Sequence, residues 1–143
     1  MRRRTFLLTM GGAAAGVACA ADAQQQVFDL FTKIASALSE DDVTTFIEAV
    51  DPAMPHFGEF QRDVRALAGA ADLANSIEVL SDTGDETHRT EELDWYLEIV
   101  EKAASRKVER RREAVKFRLE RTGKKWKIVS IDPLSFFGPA KTG

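Results

Sequence analysis

Apolar and charged residues alternate most regularly near the end of the chain, over residues 114–133. Residues 115–120 alternate strictly between the two kinds, which is the pattern of a strand with one buried face. Thr122 and Gly123 suit a tight turn, and residues 126–131 then return with β-branched and aromatic side chains. This stretch predicts a β-hairpin on which the rest of the chain packs.

The first half of the chain has helical periodicity instead. Apolar residues spaced three and four apart predict helices over residues 26–38, 43–50 and 58–73. Residues 39–42, which are Ser-Glu-Asp-Asp, place acidic side chains where the second helix begins, and Pro52 follows its end. Three helices are therefore expected before the sheet.

Four strands are predicted after the helices, over residues 76–80, 90–102, 106–121 and 126–131. In the third strand Val108 is out of phase with the apolar positions 115–119, which predicts a sharply bent strand with a bulge or bend near residues 110–114. The fourth strand has apolar residues on both faces and is expected to be covered on both sides.

This order of elements resembles the nuclear transport factor 2-like superfamily, which includes SnoaL-like cyclases and ketosteroid isomerases. The resemblance rests on the helices interrupted at residues 39–42, on the strand over residues 94–99 and on the closing stretch 123–129. It implies an α+β cone in which three helices pack on a strongly bent antiparallel sheet of about four strands. The same fold carries enzymes, binding proteins and assembly modules, so it does not fix a function.

The first 23 residues are predicted to be an export signal, followed by a single domain over residues 24–143. Three arginines at positions 2–4 precede an apolar stretch that is too short to span a bilayer, and Ala21-Asp22-Ala23 fits a cleavage site. The arginines resemble a twin-arginine signal in part, so the general secretory route stays open. The protein is expected in the periplasm or medium of a bacterium, with no stable membrane span after signal removal.

The single cysteine of the chain, Cys19, lies in this leader. It leaves with the leader unless it is lipidated, and Gly16 stands where a lipidation motif has an aliphatic residue. The mature chain then has no disulfide, no thiolate metal site and no cysteine nucleophile.

Charge divides the mature chain into an acidic and a basic part. Residues 24–100 contain 4 basic and 17 acidic residues, whereas residues 101–143 contain 13 basic and 5 acidic ones. The basic run over residues 106–112 either meets an anionic ligand or pairs with the acidic strand that contains Glu91, Glu92, Asp94 and Glu98. Cross-strand pairing accounts for the run without a ligand, and a net negative exported chain argues against nucleic acid.

The residues with the chemistry of a general base are few. The resemblance implies an Asp or His inside the cone, and the candidates are His56 and Asp51. Asp94 and Tyr96 have the opposite parity to Leu93, Trp95 and Leu97 and are expected to face outward. The two histidines lack metal-ligand spacing and no phosphate-binding glycine loop is present, so neither a metal nor a cofactor is predicted.

Aromatic residues are expected to fill the cone or to wall a pocket for an apolar small molecule. The residues assigned to such a pocket are Phe31, Phe60, Trp95, Phe117 and Trp126. The apolar C-terminus around Phe136 and Phe137 either folds back or joins a partner.

Three functions fit the sequence. The first is a cofactor-free module that binds a small molecule or a protein, and it is favoured over an enzyme. The second is a cofactor-free isomerase or lyase that uses a buried acid or base. The third is a scaffold that forms a homodimer through its sheet face.

Overall fold

The computed structural model describes the backbone of residues 12–140 and the side chains of residues 22–140. Its elements are, in order, α1 (Gly12–Ser39), α2 (Val43–Glu48), α3 (Phe57–Ala70), β1 (Ala71–Gly84), β2 (His88–Glu101), β3 (Val108–Thr122), β4 (Lys125–Asp132) and a 3-10 helix (Leu134–Phe137). The strands form one antiparallel sheet in the order β1-β2-β3-β4, against which the helices pack. The predicted α+β architecture, three helices on a bent four-stranded sheet, is confirmed.

The helix boundaries follow local chemistry. Asp42 caps α2 by accepting a hydrogen bond from the backbone N–H of Thr45 at 3.3 Å, as the acidic residues at 39–42 predicted. The third helix ends at Ala70 rather than at residue 73, and β1 begins at the next residue. β1 is therefore 14 residues long, where only residues 76–80 were predicted.

The predicted leader falls partly within the structure. Residues 1–11 lie outside the described residues, whereas the backbone of residues 12–23 is the first part of α1. Ala23, the last residue of the predicted leader, is fully buried in the core.

The bulge predicted in the third strand is wrong. The β2–β3 register runs without a shift from Val100 opposite Val108 to His88 opposite Glu120, so Val108 stays on the outer face and is 47% exposed. The extra residues lie elsewhere, at Leu80 in β1 and at Val129 in β4.

The bulge at Val129 also corrects the prediction that β4 is covered on both faces. Ile128 and Ile131 differ in parity, yet both are buried, because the extra residue returns the later part of the strand to the same face. Val129 itself is partly exposed on the other face.

One hydrophobic core lies between the helices and the concave face of the sheet. Its largest fully buried side chains are Trp95, Phe31, Phe46, Phe60, Phe117 and Phe137. The inward residues of β2 alternate with partly exposed ones, and Leu93, Trp95 and Leu97 have no exposed surface. The concave side of the sheet is thus packed with aromatic rings.

Candidate functional site

The centre of the concave side is occupied by a ring from the C-terminal tail, which we define as residues 134–140. The ring centroid of Phe137 lies 5.0 Å from that of Phe46, 5.2 Å from Trp95 and 6.4 Å from Phe117. The contacts with Phe46 and Trp95 are edge-to-face, the arrangement that aromatic quadrupoles favour. We call these four residues the aromatic cluster.

The tail is held over the aromatic cluster by one arginine from β3. Nη1 of Arg111 donates hydrogen bonds to the backbone oxygens of Phe136 and Gly138, both at 2.8 Å, and Nη2 donates to Pro139 O at 2.7 Å. Glu109 accepts from Arg111 Nε at 2.6 Å. The tail therefore folds back onto its own domain, and its polar attachment converges on a single side chain.

Four of the five residues predicted to line a pocket lie in the core itself. Phe31, Phe60, Trp95 and Phe117 are each at most 2% exposed, and each contacts other rings. Trp126 lies apart from them beneath α1, where its indole N–H donates to Gln26 Oε1 at 2.9 Å. Their role as pocket residues stays a prediction, and Phe137 packs against two of them, Trp95 and Phe117.

A buried polar group lies on the same face of the sheet as the aromatic rings, where β1 ends and β2 begins. The side chains of Arg89, Asp82 and Glu91 are only 6%, 13% and 4% exposed. Arg89 donates through Nε to Asp82 Oδ1 at 3.0 Å, and its Nε lies 3.6 Å from Glu91 Oε2. The guanidinium of Arg89 thus lies near both carboxyl groups. Glu91 Oε2 accepts no hydrogen bond from a described residue.

The two carboxyl groups of this triad have opposite pKa shifts. Burial, followed by the hydrogen bond and the charge of Asp82, raises the pKa of Glu91 to about 8. Burial also acts to raise the pKa of Asp82, but hydrogen bonds from Glu91, Arg89 and Gln24 outweigh it and lower this pKa. At neutral pH a protonated Glu91 therefore lies beside an ionised Asp82, which pairs with Arg89.

Sequence reasoning placed Glu91 wrongly among the acidic residues that face the basic strand. Glu91 has the parity of Leu93 and Trp95, so the alternation that marked β2 also points Glu91 inward. That parity was the available signal. Arg89 has the same parity and is also buried.

Two of the predicted charge pairs form across β2 and β3, those of Asp94 and Glu98. Arg112 Nη2 lies 2.7 Å from Asp94 Oδ2, and Arg110 Nε lies 3.2 Å from Glu98 Oε2. The hydrogen bond from Arg112 lowers the pKa of Asp94. Asp94 and Tyr96 are partly exposed and lie on the outer face, as their parity predicted.

The two candidate bases lie away from both buried sites. His56 has a left-handed backbone with φ 62°, its side chain is 68% exposed, and its Nδ1 lies 3.1 Å from Glu59 Oε1. Asp51 accepts from the backbone N–H of Ala53 at 2.8 Å, which closes the turn after α2. The structure does not bring His56 and Asp51 together with the aromatic cluster, and their catalytic role stays a prediction.

Two further properties of residues 12–140 concern metals and membranes. Within this part of the chain, no group of three or more His, Cys, Asp or Glu side chains is arranged to hold a metal ion. None of the helices over residues 12–140 combines the length and the apolar character of a membrane span.

Similarity to known proteins is confined to structure. No protein-family model and no curated protein matches the sequence. An NTF2-like superfamily protein from Salmonella enterica serovar Typhimurium superimposes with a TM-score of 0.62 at 13% identity, covering 86% of this chain and 95% of that one. A conserved protein from Planctomyces limnophilus gives 0.60 at 7% identity, over 76% of this chain and 91% of that one.

A designed NTF2 protein also superimposes, with a TM-score of 0.53 at 13% identity, over 76% of this chain and 96% of that one. At such identities the likeness shows the fold alone. The order of elements, the single bent sheet and these superpositions agree with the resemblance seen in the sequence, and together they establish that this chain has a nuclear transport factor 2-like fold.

Proposed function

We propose that the protein is a cofactor-free binding module whose ligand is a small aromatic or apolar molecule, taken up where Phe137 now lies. The observation that carries this proposal is the seating of Phe137, a residue of the tail, among the rings of Phe46, Trp95 and Phe117. A site that receives a phenyl ring edge-to-face offers the same contacts to the ring of a ligand.

The tail is held over the core by the burial of Phe136 and Phe137, each 2% exposed, and by hydrogen bonds from Arg111. Burial of one phenylalanine side chain contributes about 1.5–3 kcal/mol, and a ligand ring that replaces Phe137 recovers this term. The polar attachment consists of the three hydrogen bonds from Arg111 to backbone oxygens, and the guanidinium can return to water when the tail leaves.

The test is chemical rescue of a Phe137→Ala variant by indole. Truncation of a buried phenylalanine costs about 3–5 kcal/mol, so the variant is expected to melt well below the wild type. Indole should raise the melting temperature of Phe137→Ala more than that of the wild type. Phe28→Ala, which shortens a phenylalanine that is 48% exposed, is the matched control and should show no such rescue.

An Arg111→Met variant tests the same proposal with the aromatic cluster intact. It releases the tail carbonyls, so indole should bind it more tightly than the wild type, as measured by calorimetry. A folded Phe137→Ala protein that indole does not stabilise, together with an Arg111→Met protein that binds no better than the wild type, would exclude this ligand site.

A second function is favoured by a specific observation, the raised pKa of Glu91 beside Asp82. A buried carboxyl that keeps its proton near neutral pH is a group suited to proton transfer in an isomerase or lyase. In this alternative Glu91 is the acid or base, in place of His56 or Asp51. Isomerisation of β,γ-unsaturated ketones is the assay: Glu91→Gln should abolish turnover, whereas His56→Ala and Asp51→Asn should retain it.

We also propose that the protein works outside the cytoplasm, in the periplasm or medium of a bacterium. The support is the basic and apolar pattern of residues 1–23 with its Ala-x-Ala site. Fusion of residues 1–23 to a reporter that is active only after export tests this, and Edman sequencing of the exported chain should start at Gln24. Replacement of Arg3 and Arg4 by lysine should stop export only on the twin-arginine route.

The homodimer is proposed to form through the outer face of the sheet. The support is Val108, an apolar side chain that is 47% exposed on this face and available to a second copy. Sedimentation velocity over a hundredfold range of concentration tests this. A Val108→Glu variant should shift the protein towards the monomer, and a wild-type chain that stays monomeric at the highest concentration removes the proposal.

A further inference from the structure

We propose that a second site, separate from the aromatic cluster, binds a small organic carboxylate that has an apolar body. The site is a groove of about 540 Å³ between α1, α2 and the turn that joins β3 to β4. Ligand sites of drug-sized molecules have volumes in this range. The groove shares no residue with the aromatic cluster, so this proposal stands or falls independently of the proposed function.

The wall of the groove nearest the sheet is apolar and fixed. Trp126 is 7% exposed, and the hydrogen bond from its Nε1 to Gln26 Oε1, at 2.9 Å, sets the orientation of the indole. The guanidinium carbon of Arg121 lies 5.7 Å from the centroid of the Trp126 ring. Leu30 of α1 and Ala49, next to α2, extend this apolar wall.

The rim of the groove is basic. It contains Lys33 from α1 and Lys124 and Lys125 from the β3–β4 turn. Lys33 acts electrostatically on Asp42, but within the described residues neither Lys124 nor Lys125 pairs with a carboxylate. Gly123, with φ 64°, makes the turn that brings these two lysines to the edge of the groove.

Two acidic side chains also line the groove and limit the charge of the ligand. Asp29 Oδ1 accepts a hydrogen bond from Gln25 Nε2 at 2.8 Å, and Glu48 is the second carboxylate. Lys127, a fourth lysine, donates from Nζ to the backbone oxygen of Glu48. Four ammonium groups against two carboxylates leave the groove positive within a chain of net charge −3, which favours a monoanion.

These features define the chemistry of the ligand. An apolar body fits against Trp126, Leu30 and Ala49, and the carboxylate reaches the ammonium groups of Lys124 and Lys125. Lysine suits this task because its flexible stem lies along apolar surface while its ammonium group stays near water. A fused bicyclic carboxylate has the required size and amphiphilic character.

The experiment uses the ¹⁵N-labelled full chain and titrates it with 2-naphthoate. The chain has two tryptophans, and their indole N–H signals report separately on the two sites, since Trp126 lies in the groove and Trp95 contacts Phe137 in the aromatic cluster. Trp126→Phe assigns the signals. The groove site predicts that the Trp126 signal shifts and saturates while that of Trp95 stays in place.

The neutral analogue 2-naphthamide and inorganic phosphate separate the two parts of the recognition. If the carboxylate pairs with both lysines, the amide should bind about fivefold to tenfold more weakly, and phosphate alone should not saturate the site. Replacement of Lys124 and Lys125 together by alanine should weaken naphthoate by a similar factor. The matched control replaces Lys107 and Lys116, two exposed lysines away from the groove, and should leave the affinity unchanged.

Several outcomes would overturn the proposal. Equal affinities for naphthoate and naphthamide exclude recognition of the carboxylate. A shift confined to the Trp95 signal shows that naphthoate binds at the aromatic cluster instead. An equal loss of affinity in the control variant shows that the overall charge, not the two groove lysines, causes the effect. The absence of any Trp126 shift up to about 10 mM naphthoate excludes the site altogether, since binding weaker than this contributes under about 3 kcal/mol.

Discussion

The substitution Glu91→Gln tests the buried triad through the pH dependence of stability. In the folded protein Glu91 is nearly inaccessible, and burial together with the neighbouring Asp82 raises its pKa to about 8 from an ordinary value of 4.5. A glutamine amide has a similar shape and can donate a hydrogen bond to Asp82, but it does not ionise. The variant therefore removes the titration of this group and preserves its contacts.

The sign of the effect follows from the protons that each state binds. Above pH 4.5 the unfolded chain loses the Glu91 proton while the folded chain retains it, so rising pH favours unfolding until Glu91 ionises in the folded state near pH 8. The free energy of unfolding of the wild type falls by about 1.4 kcal/mol per pH unit across this interval from this group alone. The loss amounts to several kcal/mol, which is a large part of the stability of a small domain.

The assay is urea unfolding, followed by tryptophan fluorescence, at one-unit steps from pH 5 to pH 9. The free energy of unfolding of Glu91→Gln should match that of the wild type near pH 5 and exceed it by several kcal/mol at pH 9. The other groups titrate alike in both proteins, so their contributions cancel in the difference. Glu92→Gln, which changes the neighbouring residue on the outer face, is the control and should keep the slope of the wild type. Parallel curves for Glu91→Gln and the wild type would refute the protonated buried carboxyl.

Three further substitutions test the packing around these sites by the same urea assay. Gly84→Ala should destabilise the protein by about 2 kcal/mol or more, since φ is 132° there and a Cβ atom would lie 2.1 Å from the backbone oxygen of His88. Asn75→Ala should cost about 1–3 kcal/mol, because the indole N–H of Trp95 donates to Asn75 Oδ1 at 3.1 Å and would lose its partner in the core. Arg112→Ala breaks an ion pair at the surface and should leave the urea midpoint unchanged.

The fold could be predicted because its main signals are periodic and local. Leu93, Trp95 and Leu97 alternate with polar residues, and the burial of all three follows from that alternation alone. The acidic stretch before α2 likewise identified a helix start that Asp42 caps. Such patterns involve only residues that are close in sequence. They can therefore be recognised without knowing which residues contact one another in the fold.

The errors in the sheet arise where a pattern has more than one geometric solution. A shift of parity in the third strand suggested a bulge there, but Val108 instead stays exposed on the outer face. The apolar residues on both parities of β4 suggested two covered faces, whereas a bulge at Val129 turns Ile131 back to the core. Periodicity shows that the apolar positions change from one parity to the other. Only the pairing with the adjacent strand shows whether a bulge or an exposed apolar residue is the cause.

The candidate sites were largely missed for two different reasons, a contact between distant residues in one case and an overlooked parity in the other. Arg111 was assigned to a basic run, yet its hydrogen bonds are made to the tail 25 to 28 positions later. Glu91 belongs by sequence to an acidic strand, although its own parity points it towards the core. A charged residue that has the same parity as the buried residues of its strand is therefore a candidate site residue. Burial of a charge requires a partner or a shifted pKa.

The arrangement of the sites has a physical consequence for any ligand of this domain. The aromatic cluster provides apolar contact and holds its own occupant, Phe137, whereas the triad of Arg89, Asp82 and Glu91 provides a carboxyl proton on the same face of the sheet. Glu91 is opposite Phe117 in the β2–β3 register, and Phe117 is a member of the aromatic cluster, so the two regions meet at one residue pair. A ligand that displaces Phe137 and extends along Phe117 would bring a polar group towards Glu91. Binding of such a ligand should then depend on pH with the ionisation of Glu91, whereas binding of indole, which has no group that reaches Glu91, should not.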